Sequence, residues 1–301
     1  MKRGYADTPE GQIYYMTEGE GEPLLLLHQA GSSRQFKKLM PLLAKDYRVI
    51  APDILGLGNS DPMPPKHQME DLARSFVHFM DALGIERSHI FGYHTGNKIA
   101  TEIAAQWPSR VDGLILGGQT HSLMTDHEEL NAVLLAHPGI TSLSEARQQA
   151  SRDKAMTGPM IRGFEPSPYE SPLVQWAADF SRIVSIWWDT IGQQELSPEV
   201  FSIRKDRVMD MLQGGANAEI HKAIFAYDMG ARMRLIKAKT LILEVEVPAE
   251  EHLGRQGKTL LKLIPNSQLA TMQHTPGGFP YDVKTEEFAK IMLGFLHDVR
   301  Q

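Results

Sequence analysis

Short apolar runs set at intervals along the chain constrain its fold more than any other feature. Pro23-Leu24-Leu25-Leu26-Leu27-His28 is apolar without alternation, and runs over 47–53, 89–94, 111–118, 238–245 and 267–274 follow it. A strand that reads as an unbroken apolar run is buried on both faces, which is the condition of a parallel sheet. Residues 11–19 read as a further strand. Helical patterns lie between the runs. Residues 70–84 end on a glycine stop signal, 97–106 halt before Trp107-Pro108, and 285–300 form a last amphipathic helix. Strands alternating with helices imply an α/β fold, a mostly parallel twisted sheet flanked by helices.

The alternation breaks between about 122 and 235. That stretch reads as helices over 142–152, 170–193, 197–213 and 216–228, punctuated at Gly158-Pro159, Glu165-Pro166 and Ser197-Pro198. The expected organisation is a core of residues 1–122 and 236–301 with an inserted helical cap over 123–235. Composition excludes several function classes. The chain has 301 residues and a net charge of -6, with no basic stripe, which argues against a nucleic-acid partner. It has no cysteine, hence no disulfide framework and no thiolate nucleophile. No apolar run has the length of a membrane span, and Met1-Lys2-Arg3-Gly4 is followed by no signal-peptide core, so the expected location is cytoplasmic.

The run 89–94 leads into Gly92-Tyr93-His94-Thr95-Gly96 and then a helix. Glycines two before and two after a central residue, between strand and helix, match the strand-turn-helix of a nucleophile elbow. Here the chain resembles the α/β-hydrolase superfamily, and the resemblance runs almost end to end. His28-Gln29-Ala30-Gly31-Ser32-Ser33 is similar to the oxyanion loop of that family. Asp53-Ile54-Leu55-Gly56-Leu57-Gly58-Asn59-Ser60 looks like its Asp-x-x-Gly-x-Gly-x-Ser segment, and Ile264-Pro265-Asn266-Ser267 like its lead-in to the last strand. The three triad positions depart from the family pattern. His94 stands where the nucleophile is expected, Val245-Glu246-Val247-Pro248 has no Asp, and Gly278 in Gly277-Gly278-Phe279-Pro280 occupies the place of the catalytic histidine. Without a hydroxyl and an aligned base, an acyl-serine route is closed.

What the resemblance leaves is an oxyanion hole made by the backbone amide of Thr95 and one from Gln29-Ala30, with His94 beside it. Imidazole titrates near operating pH and is itself a competent base. The expected catalytic residues are therefore His94, Glu246 and His274, with His28, His121, Trp187 and Trp188 against the substrate. Each has a plainer reading. His94 fills a decayed site, His28 braces the oxyanion loop, Glu246 is a solvated charge, His121 is a loop residue, His274 packs into the sheet edge, and the tryptophans are cap core. No histidine spacing marks a metal site, and no cofactor is expected. Three functions stay open: a hydrolase acting on a small, largely apolar ester, lactone or activated ketone; a lyase, isomerase or cyclase on the same fold; and a binding protein that has lost the reaction. The expected partner is a small-molecule substrate, and a homodimer is left open.

Overall fold

A computed structural model describes residues 1–29, 31–118, 198, 201–202, 205, 220, 223–224, 226–246, 255–273 and 279–300. Eight strands form one sheet: β1 (Lys2–Thr8), β2 (Gly11–Glu18), β3 (Pro23–Leu27), β4 (Arg48–Pro52), β5 (Ser88–Tyr93), β6 (Val111–Gly117), β7 (Lys239–Glu246) and β8 (Ser267–Gln273). Their order is β1-β2-β4-β3-β5-β6-β7-β8. The β1/β2 and β2/β4 pairs are antiparallel, and every pair from β4/β3 to β7/β8 is parallel. The strands expected from the sequence are all present. β1 was not among them, and the reason is physical. It is an edge strand in which only Ala6 is buried, so its sequence carries no apolar signal.

Alternate residues of the central strands feed two cores. Leu25, Leu27, Ile90, Leu114, Leu116 and Ile242 point to one face. There they meet α2 (Met69–Ala82), α3 (Thr95–Gln106), α4 (Met229–Met233) and α5 (Gly257–Leu263). Leu24, Leu26, Phe91, Tyr93, Ile115, Leu241 and Leu243 point to the other. On that side they meet α1 (Met40–Leu43), α6 (Pro280–Val283) and α7 (Thr285–Arg300). Both faces are therefore covered, as the unbroken apolar runs require. The helices α1, α4, α5 and α6 are short and were not expected from the sequence. Among the described residues no helix is long and apolar enough to cross a membrane. Most of the stretch expected to form the cap lies outside the described residues.

Candidate active site

The site is built where β5 becomes α3. His94 is the residue between them, with φ 50° and ψ -104°. A positive φ is uncommon for a residue with a Cβ and stores strain that the surroundings must hold. Two glycines make the turn feasible. A Cβ on Gly92 would run into the Gly96 carbonyl, and one on Gly96 would run into the Leu27 carbonyl of β3. The helix therefore approaches the sheet at backbone contact and lifts the His94 side chain at the C-terminal edge of the strands. In a parallel sheet that edge is where ligands bind.

His94 is half-buried. Its backbone amide donates to the Gly117 carbonyl at 3.3 Å, and its carbonyl accepts from the Asn97 amide at 3.0 Å. Aromatic rings flank the imidazole: Tyr93 at 4.7 Å and Phe279 at 6.4 Å between centroids, both edge to face. Gly118, with φ 76°, lies on the remaining side, where an added Cβ would come within 3.2 Å of the ring atoms Cδ2 and Nε2. Thr95 is buried and opens α3. A helix leaves its first amides without partners inside the helix, and Thr95 carries the first of them here.

The neighbouring loop follows β3. The His28 ring is fully buried. Its Nε2 accepts from the Ile54 amide at 3.0 Å, and its Nδ1 donates to the Gln29 carbonyl. This pattern needs a neutral imidazole with the proton on Nδ1. Burial lowers its pKa in the same sense, against the pull of Asp53 3.9 Å away. Asp53 ties the loop down: its carboxylate accepts from the Ser33 amide at 2.6 Å and the Asn59 amide at 2.8 Å. The Gln29 side chain donates to Tyr281 Oη at 3.1 Å, and Tyr281 donates to Gln35 at 2.9 Å. Tyr281 also stands 5.1 Å from the Tyr93 ring, so α6 braces both the loop and the strand that carry the site.

Behind the elbow, α3 carries unusual buried polar groups. Lys98 is 3% exposed, and burial pulls its pKa down to about 7. Farther along the helix, buried Glu102 accepts from Tyr227 Oη at 2.7 Å and faces Arg232 at 3.2 Å. Burial and this carboxylate together push the Tyr227 hydroxyl pKa well up.

The structure thus brings His94, Thr95, His28 and Gln29 to one end of the sheet, and β7 ends there with Glu246. The side chain of Glu246, together with Ala30, His121, Trp187, Trp188 and His274, lies outside the described residues. Among the described residues no cluster of metal-ligating side chains occurs. Sequence reasoning missed Tyr281, Asn97 and Lys98. An aromatic just after Phe279-Pro280 and two polar residues directly after the elbow were the signals available.

The family model described as the alpha/beta hydrolase fold matches residues 22–139. The chain is 34% identical over 113 residues to haloalkane dehalogenase 2 of Mycobacterium tuberculosis, a match covering 37% of this chain and only 40% of that protein. It is 27% identical over 300 residues to a 2-hydroxy-6-oxononadienedioate/2-hydroxy-6-oxononatrienedioate hydrolase of Pseudomonas putida, covering 95% and 91%. Among solved structures, the epoxide hydrolase CorEH superposes with a TM-score of 0.71 at 17% identity, covering 99% of both chains. The enol-lactonase of Burkholderia xenovorans does so with a TM-score of 0.66 at 18% identity, covering 98% of this chain and 100% of that one. The structural likeness shows the α/β-hydrolase fold, and the family match covers the part of the chain that carries the elbow and its loops.

Proposed function

We propose that this chain is a hydrolase of small, largely apolar carbonyl compounds in which His94 is the general base. The observation that carries the reading is the conformation of His94: a strained, positive-φ residue at a strand-to-helix turn, half-buried, with its Nε2 shielded from solvent. Strain of this kind persists where a side chain has to be presented.

In this reading a carbonyl oxygen rests against the amides of Thr95 and the Gln29-Ala30 loop. His94 takes a proton from water as the water adds to the carbonyl carbon, and the amides receive the developing oxyanion. Donors fixed in place are worth roughly 3 kcal/mol each at that moment, because they need no reorganisation. Breakdown of the adduct returns the proton from His94 to the leaving group. Glu246 or His274 would hold the second ring nitrogen, and the cap over 123–235, with His121, Trp187 and Trp188, would shape the pocket. His28 serves the loop, since both of its nitrogens are already engaged. The named relatives act on a haloalkane and on dienedioate compounds, and the structural neighbours include an enol-lactonase. Small esters, lactones and vinylogous ketones are therefore the substrates to try first.

The test is turnover of such a panel by the wild type, His94→Ala and His94→Gln, with product mass read in ¹⁸O-labelled water. Loss of turnover in both variants and incorporation of labelled oxygen are expected. A His94→Gln variant that turns over normally would reduce His94 to a binding group. Turnover without oxygen incorporation would favour lyase or isomerase chemistry. His94→Ser alone is expected to stay inactive as an esterase, because a lone hydroxyl lacks its base.

A further inference from the structure

We propose that Asn97 is a positioning residue that sets the orientation of the His94 imidazole by completing the end of β6. The proposal rests on the reading of His94 as the base. The β5/β6 ladder ends at the pair Tyr93 and Gly117, because the chain leaves the sheet at His94. Gly117 is paired with Tyr93 on one side and with Leu243 of β7 on the other, and the place that follows Tyr93 beside it is not held by a strand residue. Asn97, 2% exposed in the first turn of α3, takes that place. Its Nδ2 donates to the Gly117 carbonyl at 2.6 Å, and its Oδ1 accepts from the Gly117 amide at 3.0 Å. One planar amide thus pairs with the donor and the acceptor of the same residue, as a facing residue does in a close antiparallel pair through its own N–H and C=O. The same Nδ2 reaches the Gly118 carbonyl at 3.2 Å.

The pairing reaches the imidazole by two routes. Gly117 accepts from the His94 amide as well as from Asn97, so the backbone of the strained residue and the helix share one anchor. Gly118 is the wall against Cδ2 and Nε2 of the ring, and Asn97 holds its carbonyl. Gly118 is in turn tied to β7, through its amide to the Leu243 carbonyl at 3.3 Å. Of the standard side chains, only Asn and Gln carry an amide donor and acceptor together, and Asn has the shorter reach. Asp keeps the acceptor and loses the donor. Ala leaves the buried polar atoms of Gly117 to find other partners.

The experiment compares wild type with Asn97→Ala, Asn97→Asp and Asn97→Ser. It reads kcat and KM on the substrate found above, and separately the ¹⁵N ring resonances of His94 against pH, identified with His94→Gln. Expected for Asn97→Ala is a fall in kcat of about 10- to 100-fold at unchanged KM. A changed tautomer balance or titration midpoint of the His94 ring should accompany it. Asn97→Ser, whose hydroxyl still donates, should recover part of both. Should the alanine variant fail to fold, the serine and aspartate variants carry the same comparison. A folded variant with the wild-type ring resonances overturns the proposal, as does a shifted ring with kcat unchanged in an enzyme that depends on His94. Failure of the catalytic reading shows separately, as wild-type turnover insensitive to His94→Gln; the ring resonances then still decide whether Asn97 orients His94.

Discussion

A histidine stands at each end of strand β5, one inside it and one just beyond it, and the two environments differ. His89, near the N-terminal end, is 3% exposed and belongs to a closed group of side chains. Its Nε2 lies 3.5 Å from Glu22, which also binds Arg300 of the last helix at 2.6 Å. The Arg300 guanidinium covers the Tyr47 ring at 4.1 Å, and Tyr47 meets the His89 ring edge-on. Burial lowers the His89 pKa, and the Arg300 pairing lowers that of Glu22. The β5/β6 register shifts at this point, but the φ of His89 is not positive. At the other end His94 is half-buried, its backbone is strained, and Tyr93, Phe279 and Gly118 lie against its ring. The same residue type is packed into an ordered cluster at one pole and stands at a strained turn at the other. The chain direction decides which, because helices start at the C-terminal edge of parallel strands and bring their open amides there.

The comparison breaks first on activity. His94→Ala should lower kcat/KM by about 10²- to 10⁴-fold, the range for losing a general base. His89→Phe should leave kcat/KM near the wild-type value and lower the unfolding midpoint instead. Similar kinetics from the two variants would erase the distinction.

The next largest effect is on stability. Gly96→Ala forces a Cβ onto the Leu27 carbonyl, so the helix must move off the sheet. A loss of about 4 kcal/mol or more by denaturant titration is expected, at the upper end for single substitutions. A mild loss would mean that the elbow is looser than its geometry indicates.

Lys98 sharpens the comparison with a pH dependence. Its folded pKa of about 7 lies below the unfolded value, so between about pH 7 and 10.4 the unfolded chain binds more protons. The contribution of this group therefore makes stability rise with pH across that window. Lys98→Met removes the buried charge and should raise stability at pH 7 by roughly 2–4 kcal/mol, a gain that shrinks toward pH 10. Melting curves at several pH values check the sign; a variant less stable than wild type at pH 7 would overturn the prediction.

The smallest effect is at the opposite pole. Arg300→Ala removes the bond to Glu22 and the cover over Tyr47. Both Arg300 and Glu22 are substantially solvent-exposed, so about 1 kcal/mol is expected, less at high salt. Turnover should be unaffected.

Local sequence was enough for the elbow, the loops and the central strands. Gly92 and Gly96 flank His94 in a pattern that physical contact demands, and Leu24 to Leu27 announce a strand buried on both faces. Edge strand β1 left no such trace, because one of its faces meets solvent along its length. The partners of the site were equally silent in the sequence. Tyr281 reaches Gln29 across 252 positions, and Glu102 meets Tyr227 across 125. Such pairings are set by packing, and no periodicity encodes them.

His28 and His94 make the division plain. As sequence, both are histidines at the ends of apolar runs, and both qualified for the site. The tertiary structure separates them: the Ile54 amide and the Gln29 carbonyl occupy both nitrogens of His28, whereas the turn after β5 raises His94 beside the opening amides of α3. Sequence by itself determined that an elbow exists, that its centre is an imidazole, and that the sheet is mostly parallel, since sterics and apolar periodicity act through near neighbours. That both nitrogens of His28 are held, that Lys98 is buried and that Asn97 meets Gly117 were decided only when distant segments packed, because desolvation and hydrogen-bond partnership belong to the assembled neighbourhood and not to the residue.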